Sequence, residues 1–200
     1  AQYSTFKERI LRESSVVSVT NLSHDLGQKN LPYLPMRVEG IEDEQMFPIM
    51  SVGFDFLETF GLKMIEGRFF DINIHSDSTL AVVINEAAAK ALNWKDPIGR
   101  RITSGEGGNP NTKVIGVIQD FNFDPLRNSV SPMVMSFGSA FSNVAVKIKP
   151  GEYSATLSNI ESVWNEMINT KSFSFYFLDE ALNQTYEAEE RLATIFKYFC

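Results

Sequence analysis

Val144, Val146 and Ile148 alternate with Ala145, Lys147 and Lys149, and Tyr153, Leu157, Ile160, Trp164 and Met167 then advance by four, three, four and three residues. The first spacing is that of a strand with one wet face, the second that of an apolar stripe along one helix face. Pro150-Gly151 separates the two, and Asn169 ends the helix. Phe173, Phe175 and Phe177 alternate with Ser174, Tyr176 and Leu178, which predicts a second strand and completes a strand–helix–strand unit. A comparable unit lies upstream. Met46 to Val52 reads as a strand, Phe54, Phe56, Leu57 and Phe60 as a short helix closed by a left-handed Gly61 cap, and Lys63-Met64-Ile65 as the returning strand.

Two such units place helices on one face of a shared sheet, as in ferredoxin-like α+β folds. The segment between them is then an insertion, and its pattern is mostly that of strands. Leu80 to Ile84 is an apolar run too short for a helix, so a buried strand is expected. Asn85 follows as the N-cap of a helix over Glu86 to Leu92, and Asp96-Pro97-Ile98-Gly99 marks a turn. Arg101–Ser104 and Lys113–Gln119 flank a glycine-rich loop, Gly105 to Asn111, that most simply joins two antiparallel strands, and Met133 to Phe137 supplies another. Ahead of the first unit, Tyr3, Phe6 and Ile10 predict an amphipathic helix ending near Glu13. Val16, Val17, Val19 and Thr20 predict a strand, and Met36 to Glu39 pairs as a hairpin with Met46 to Val52.

The final helix, from Glu180 through Tyr186, Arg191, Leu192 and Phe196, finishes Ile195-Phe-Lys-Tyr-Phe-Cys200 with no glycine, proline or polar stop. One reading docks it on the domain as an amphipathic helix. The other has a membrane-spanning helix beginning there, with the opening helix, which lacks a cap signal at Ala1, as the tail of a preceding span. No window approaches the ~18 apolar residues that cross a bilayer, so on the second reading the chain is a piece excised between two spans.

Composition narrows the functional classes. With 200 residues and 44% hydrophobic content the chain can bury a real core, so disorder is excluded. Eighteen Lys and Arg against 25 Asp and Glu give a net charge of −7, which argues against sequence-independent nucleic-acid binding. One Cys rules out a disulfide framework or a cysteine-based zinc site. The two histidines each sit beside an acid, as His24-Asp25 and His75-Ser76-Asp77, in loop-like polar sequence without a Gly-x-Ser-x-Gly elbow. Asp71, Asn73, His75 and Asp77 loosely fit a calcium loop, but Ser76 stands where the turn needs Gly and Val82 where a bidentate Glu belongs. Glu39, Glu42, Asp43 and Glu44 read as a solvated hairpin tip. Gly105 to Gly108 lacks the Gly-Lys-Ser/Thr close of a phosphate loop.

Several motifs fall into a recognisable order. Met50-Ser-Val-Gly-Phe-Asp-Phe-Leu-Glu-Thr-Phe-Gly-Leu-Lys-Met-Ile-Glu-Gly-Arg68-Phe-Phe, Ala81-Val-Val-Ile-Asn-Glu86-Ala-Ala-Ala-Lys90, Trp94-Lys-Asp-Pro-Ile-Gly99, Val114-Ile-Gly-Val-Ile-Gln-Asp-Phe121 and Ser131-Pro132 together resemble the periplasmic core domain of MacB-type, FtsX-like ABC transporter permeases. The resemblance implies a porter-like subdomain with terminal stalk helices, residues 1–70 and 141–200, and an inserted, mostly β sabre-like subdomain, residues 71–140. It implies structural roles for Gly67, Arg68, Asn85, Glu86, Pro97, Gly99, Gly116, Asp120, Phe121 and Pro132, with no catalytic, cofactor or metal residues to carry over. ATP is expected to be hydrolysed by a separate nucleotide-binding domain or subunit.

The partners implied are an ABC ATPase subunit reached through the membrane part, a second permease copy or paralogue, and a periplasmic adaptor, lipoprotein or hydrolase. The implied place is the periplasmic face of a bacterial inner membrane. ATP-driven closure would move the spans, and helices 1–13 and 180–200, side by side as a stalk, would carry the movement outward. Two other classes compete: a stand-alone periplasmic ligand-binding or sensor module, and a hydrolase using His24 or His75. Five acids in the last helix, Asp179, Glu180, Glu187, Glu189 and Glu190, against Arg191 and Lys197, would be repelled by anionic headgroups and predict weak or no binding to anionic vesicles.

Overall fold

A computed structural model describes residues 2–26, 31–105, 107–121, 130–138, 142–151, 153–168 and 172–181. Helix α1 (Gln2–Ile10) leads through a turn into β1 (Val16–Leu22), followed by the hairpin of β2 (Tyr33–Val38) and β3 (Gln45–Val52). Then come α2 (Phe56–Phe60), β4 (Met64–Gly67), α3 (Asp77–Leu80), β5 (Ala81–Asn85) and α4 (Glu86–Ala91). Strands β6 (Ile102–Ser104), β7 (Lys113–Ile118), β8 (Val134–Phe137) and β9 (Asn143–Ile148) precede α5 (Tyr153–Met167). Gly61 closes α2 with φ +67°: its N–H donates to the Glu58 carbonyl and the following Leu62 N–H to that of Leu57, as the sequence position of Gly61 predicts.

The strands form one mixed sheet in the order β4-β7-β5-β8-β3-β1-β9, with β2 pairing to β3 and β6. Four local expectations change here. The first strand–helix–strand unit keeps its elements in order, but β3 and β4 are not neighbours: β7, β5 and β8 lie between them. All five residues of β5 are buried, and a strand covered on both faces belongs at a sheet centre, so β5 sits between parallel β7 and antiparallel β8. The glycine-rich loop closes less of a hairpin than expected: antiparallel pairing across it is confined to the Arg101–Lys113 bridge and its flanking bonds, Ile102 N–H to the Thr112 carbonyl and Val114 N–H to the Arg100 carbonyl. The ladder of β6 is instead with β2, Met36 opposite Ser104.

Third, α2 and α5 cover opposite faces of the β1–β9 edge. Val144, Val146 and Ile148 face the cluster of Phe6, Ile10, Val16, Val19, Ile160 and Val163, whereas Lys147 donates to the Glu58 carbonyl of α2 and Ser18 bonds Thr59. Six of the seven β1 residues are buried, so the strand needs a layer on each side. Fourth, residues 172–177 form no strand. Phe173 lies against Trp164 and Phe177 against Tyr153, so the segment runs back along α5, and its rings meet one another at 5.8 Å, tilted for Phe173–Phe175 and edge to face for Phe175–Phe177, instead of entering a ladder. The final-helix reading falls largely on residues 182–200, outside those described; only 178–181 are helical within them.

Alternation divides the rest of the interior. On one face Met50, Val52, Phe56, Val83, Met133 and Met135 pack together; on the other, Met36, Phe47, Val82, Ile84, Ile102 and Val134 do. Successive residues of β5 and β8 therefore serve opposite cores, which is why neither strand shows a polar side.

Candidate functional site

The motif residues gather around the end of β5. Asn85 is wholly buried, and its side chain serves three backbone groups. Oδ1 accepts the Ala88 N–H at 3.1 Å, capping α4, and the Met133 N–H at 2.8 Å; Nδ2 donates to the Ser131 carbonyl at 2.9 Å. One amide thus starts a helix and pins the approach to β8, with Pro132 between its two partners. Beside it, Asp120 Oδ1 accepts the Ala87 N–H at 2.9 Å while Glu86 Oε2 accepts the Asp120 N–H at 3.1 Å, a reciprocal pair that ties the helix start to the end of β7. Negative charge is also favoured at that helix end. Phe121 continues from Asp120 onto Phe56 at 6.0 Å, edge to face.

Gly67 and Gly116 face each other across β4 and β7. A Cβ on Gly116 would lie 2.2 Å from the Arg68 carbonyl oxygen and one on Gly67 2.3 Å from that of Ile115, so the two backbones approach closer than any side chain allows. Arg68 then forks onto Asp77, with Nη2 at 2.8 Å from Oδ1 and Nη1 on Oδ2. Asp77 is 2% exposed and also accepts the Asp71 N–H. The Arg68 hydrogen bond, against the cost of burial, holds its carboxyl below the usual carboxylate range, and the carboxylate in turn raises Arg68. Pro97 is buried in the turn whose Gly99 N–H reaches the Val114 carbonyl at 2.8 Å.

A second assembly surrounds α1, which sequence reasoning did not resolve. Phe6 meets Trp164 edge to face at 5.6 Å, Arg9 donates to Glu166 at 2.6 Å, and Asn159 donates to Glu13 at 2.6 Å. Arg9 and Glu166 shift each other, Arg9 upward and Glu166 downward, chiefly through that hydrogen bond. On the other flank Lys7 pairs with Asp55, the residue at the N-cap of α2. The Asp55 side chain makes no capping bond, because its carboxylate is turned to Lys7. Burial and then the Asp55 charge push the Tyr3 hydroxyl up. Helix α1 is thereby fastened to α5 and α2, which cover opposite faces of β1–β9. These partners are 48 and 157 residues apart, beyond the reach of any local pattern.

The remaining candidates for chemistry are occupied locally. Ser23 Oγ accepts the Ser51 N–H and lies 2.8 Å from Nδ1 of its own neighbour His24, closing the end of β1. Burial raises the Asp25 carboxyl, and His24 opposes the shift. His75 uses its carbonyl to hold Ser78, and Asp71 Oδ1 takes both the Asn73 N–H and Nδ2. Among the acids of the hairpin tip, Glu39 accepts from Arg101 N–H and Arg100, and Glu44 from Arg37. No group of three or more His, Cys, Asp or Glu poised for a metal occurs among the described residues.

Residues 7–161 match the model of the MacB-like periplasmic core domain. No curated protein matches in sequence. The periplasmic region of MacB from Actinobacillus actinomycetemcomitans superposes with a TM-score of 0.65 at 18% identity, over 92% of this chain and 82% of that one. The extracellular domain of the noncanonic ABC-type transporter YknZ from Gram-positive bacteria superposes with a TM-score of 0.61 at 16% identity, over 84% of each. At such identities the shared property is the α+β fold with its mixed sheet.

Proposed function

Since the chain belongs to the family of MacB-like periplasmic core domains, the periplasmic part of an ABC transporter permease, we propose that it works without catalysis, passing movement from the membrane to a substrate or partner protein. The observation that carries this reading is the seating of α1. Phe6 and Ile10 are buried under α5, and three polar ties (Lys7 to Asp55, Arg9 to Glu166, Glu13 to Asn159) fasten the helix on two sides. A helix held only by its apolar stripe could slide; one tied on both flanks moves α5, α2 and the β1–β9 edge as a body.

On this reading residues 1–70 and 141–200 form the porter-like part and 71–140 the sabre-like insertion, whose strands β5, β7 and β8 are continuous with the same sheet. The family residues around Asn85 and Gly116 then keep that sheet stiff. ATP hydrolysis belongs to a separate subunit or domain. The partners are that ATPase, a second permease copy or paralogue, and a periplasmic adaptor, lipoprotein or hydrolase. The test uses the complete permease with its ATPase. Phe6→Ala combined with Lys7→Ala is expected to reduce transport while ATP hydrolysis persists, and the charge exchange of Lys7→Asp with Asp55→Lys to restore part of what Lys7→Asp alone loses. Unchanged transport in the Phe6, Lys7 double variant would overturn the proposal.

A further inference from the structure

Two short pieces of chain share the outer edge of β7, the one not taken by β5. Strand β4 covers Gly116 to Ile118, and Gly99 to Ile102 covers Thr112 to Val114, with the Gly99 N–H on the Val114 carbonyl. Between the two pieces β7 bulges: its register with β5 runs Val82 to Val114 and then Val83 to Gly116, so Ile115 is left over. A notch of about 440 Å³ opens at this junction, within the range of small-molecule sites. Gly67 and Gly99, both at positive φ, form its lips, and Ile98, Val114 and Ile115 supply apolar walls. Ile98, 39% exposed, closes over Gly67, whose Cβ would lie 2.8 Å from its Cδ1. A Cβ on Gly99 would meet nothing within 4 Å, so the space on that side is open.

Among the described residues the charged groups on the lining are two cations, Arg68 and Lys113. Arg68 is committed, its two terminal nitrogens forked onto Asp77 with Asp71 acting on it as well. Lys113 is exposed, and its ammonium has no hydrogen bond or ion pair among the described residues. Arg101, also exposed, stands directly opposite Lys113. The flanking bonds, Ile102 N–H to the Thr112 carbonyl and Val114 N–H to the Arg100 carbonyl, make theirs the closely spaced kind of antiparallel pair, with both side chains on one face. Like charges placed so are destabilising. The carboxylate beside them, Glu39, already accepts from the Arg100 guanidinium and the Arg101 N–H. A cation pair of this kind at the lip of an apolar notch complements a molecule with an apolar body and a negative end.

We infer that this notch is a binding site for a small organic carboxylate, its apolar body against Ile98 and Ile115 and its charge on Lys113, with Arg101 beside it. The inference stands apart from the transmission of movement, since a ligand could be held here whether or not α1 acts as a lever. The test is a titration of the isotope-labelled 200-residue chain with hexanoate, hexanol and hexylammonium, followed by amide NMR at Gly67, Gly99, Lys113 and Ile115. Hexanoate is expected to shift these amides saturably with a Kd of roughly 5 mM, and hexanol to bind about threefold more weakly. Lys113→Glu should weaken hexanoate about tenfold and leave hexanol unchanged, Lys113→Arg should retain hexanoate, and Ile98→Ser should weaken both about fivefold. Lys113 and Ile98 are both exposed, and unchanged amide shifts away from the notch report that the variants remain folded. Glu106 of the glycine-rich loop lies outside the described residues and is tested directly: Glu106→Gln should leave the hexanoate Kd unchanged. Absence of saturable shifts, hexanol or hexylammonium binding as tightly as hexanoate, indifference to Lys113→Glu, or tighter binding after Glu106→Gln would each overturn the assignment.

Discussion

Replacing Asn85 by Ala removes three hydrogen bonds at a fully buried position. Loss of the N-cap on Ala88 costs about 1 kcal/mol, and leaving the Met133 N–H and Ser131 carbonyl unpaired costs about 1–2 kcal/mol each, so the total is about 3–5 kcal/mol. For a chain of this length, at ~2–4 °C per kcal/mol, the melting temperature should fall by about 10 °C. Asn85→Asp is the sharper probe. It keeps the acceptor for Ala88 and Met133 but sets an oxygen against the Ser131 carbonyl, so the folded protein favours the protonated acid. The folded pKa is then raised above the unfolded value of ~3.9. The penalty should be small below that pH, grow as pH rises through the folded value, and stay at its maximum above it. Urea unfolding from pH 4 to 8 measures this directly. An Asn85→Ala cost under about 1 kcal/mol, or an Asn85→Asp variant as stable at pH 7 as the parent, would refute the argument that one amide joins helix to strand.

Gly116→Ala should destabilise by about 3 kcal/mol or more and expose β4 to hydrogen exchange, because the new Cβ meets a backbone oxygen that cannot turn away. Arg68→Ala leaves a buried carboxylate with the Asp71 N–H alone and should cost about 1–3 kcal/mol at pH 7 by urea unfolding. The Asp77 carboxyl is depressed in the folded state, so its contribution is present above about pH 4 and is lost as pH falls through the folded value; Asp77→Asn should flatten that part of the acid profile. Phe6→Ala should cost about 3–4 kcal/mol, through loss of a buried ring against Trp164. Phe175→Ser should change stability by less than about 1 kcal/mol, because the ring is 53% exposed; a core strand at 173–177 would require a far larger loss.

The features that could be read from the chain are those governed by near neighbours. Gly61 caps α2 because a left-handed residue is needed one step past the last turn, and Asn85 caps α4 because its amide reaches an N–H three residues on. The β2–β3 hairpin follows from two strand patterns joined by a short acidic connection. Val144 to Ile148 and the stripe of α5 emerge as the alternation and the 3.6-residue period require. The same reasoning fails at Phe173 to Phe177. Alternation there is real, but both Phe173 and Phe177 find ring partners on α5, and extended geometry alone creates no ladder.

The site shows the same division. Arg68 and Asp77 are both visible in the sequence, yet nothing nine residues apart in a loop indicates that a guanidinium will fork onto a buried carboxylate. Lys7 and Asp55, or Arg9 and Glu166, have no local signature at all. By itself the sequence determined the type and place of most helices and strands, the glycine that caps α2, the α+β class and, through five ordered motifs, the family. Strand order was a tertiary decision: β5, apolar at every position before Asn85, had to be covered on both faces, and placing it centrally drove β3 and β4 apart and gave α2 and α5 opposite faces to cover. Local periods count residues along one chain direction, whereas the neighbours of a strand are chosen by which arrangement buries all the apolar faces at once.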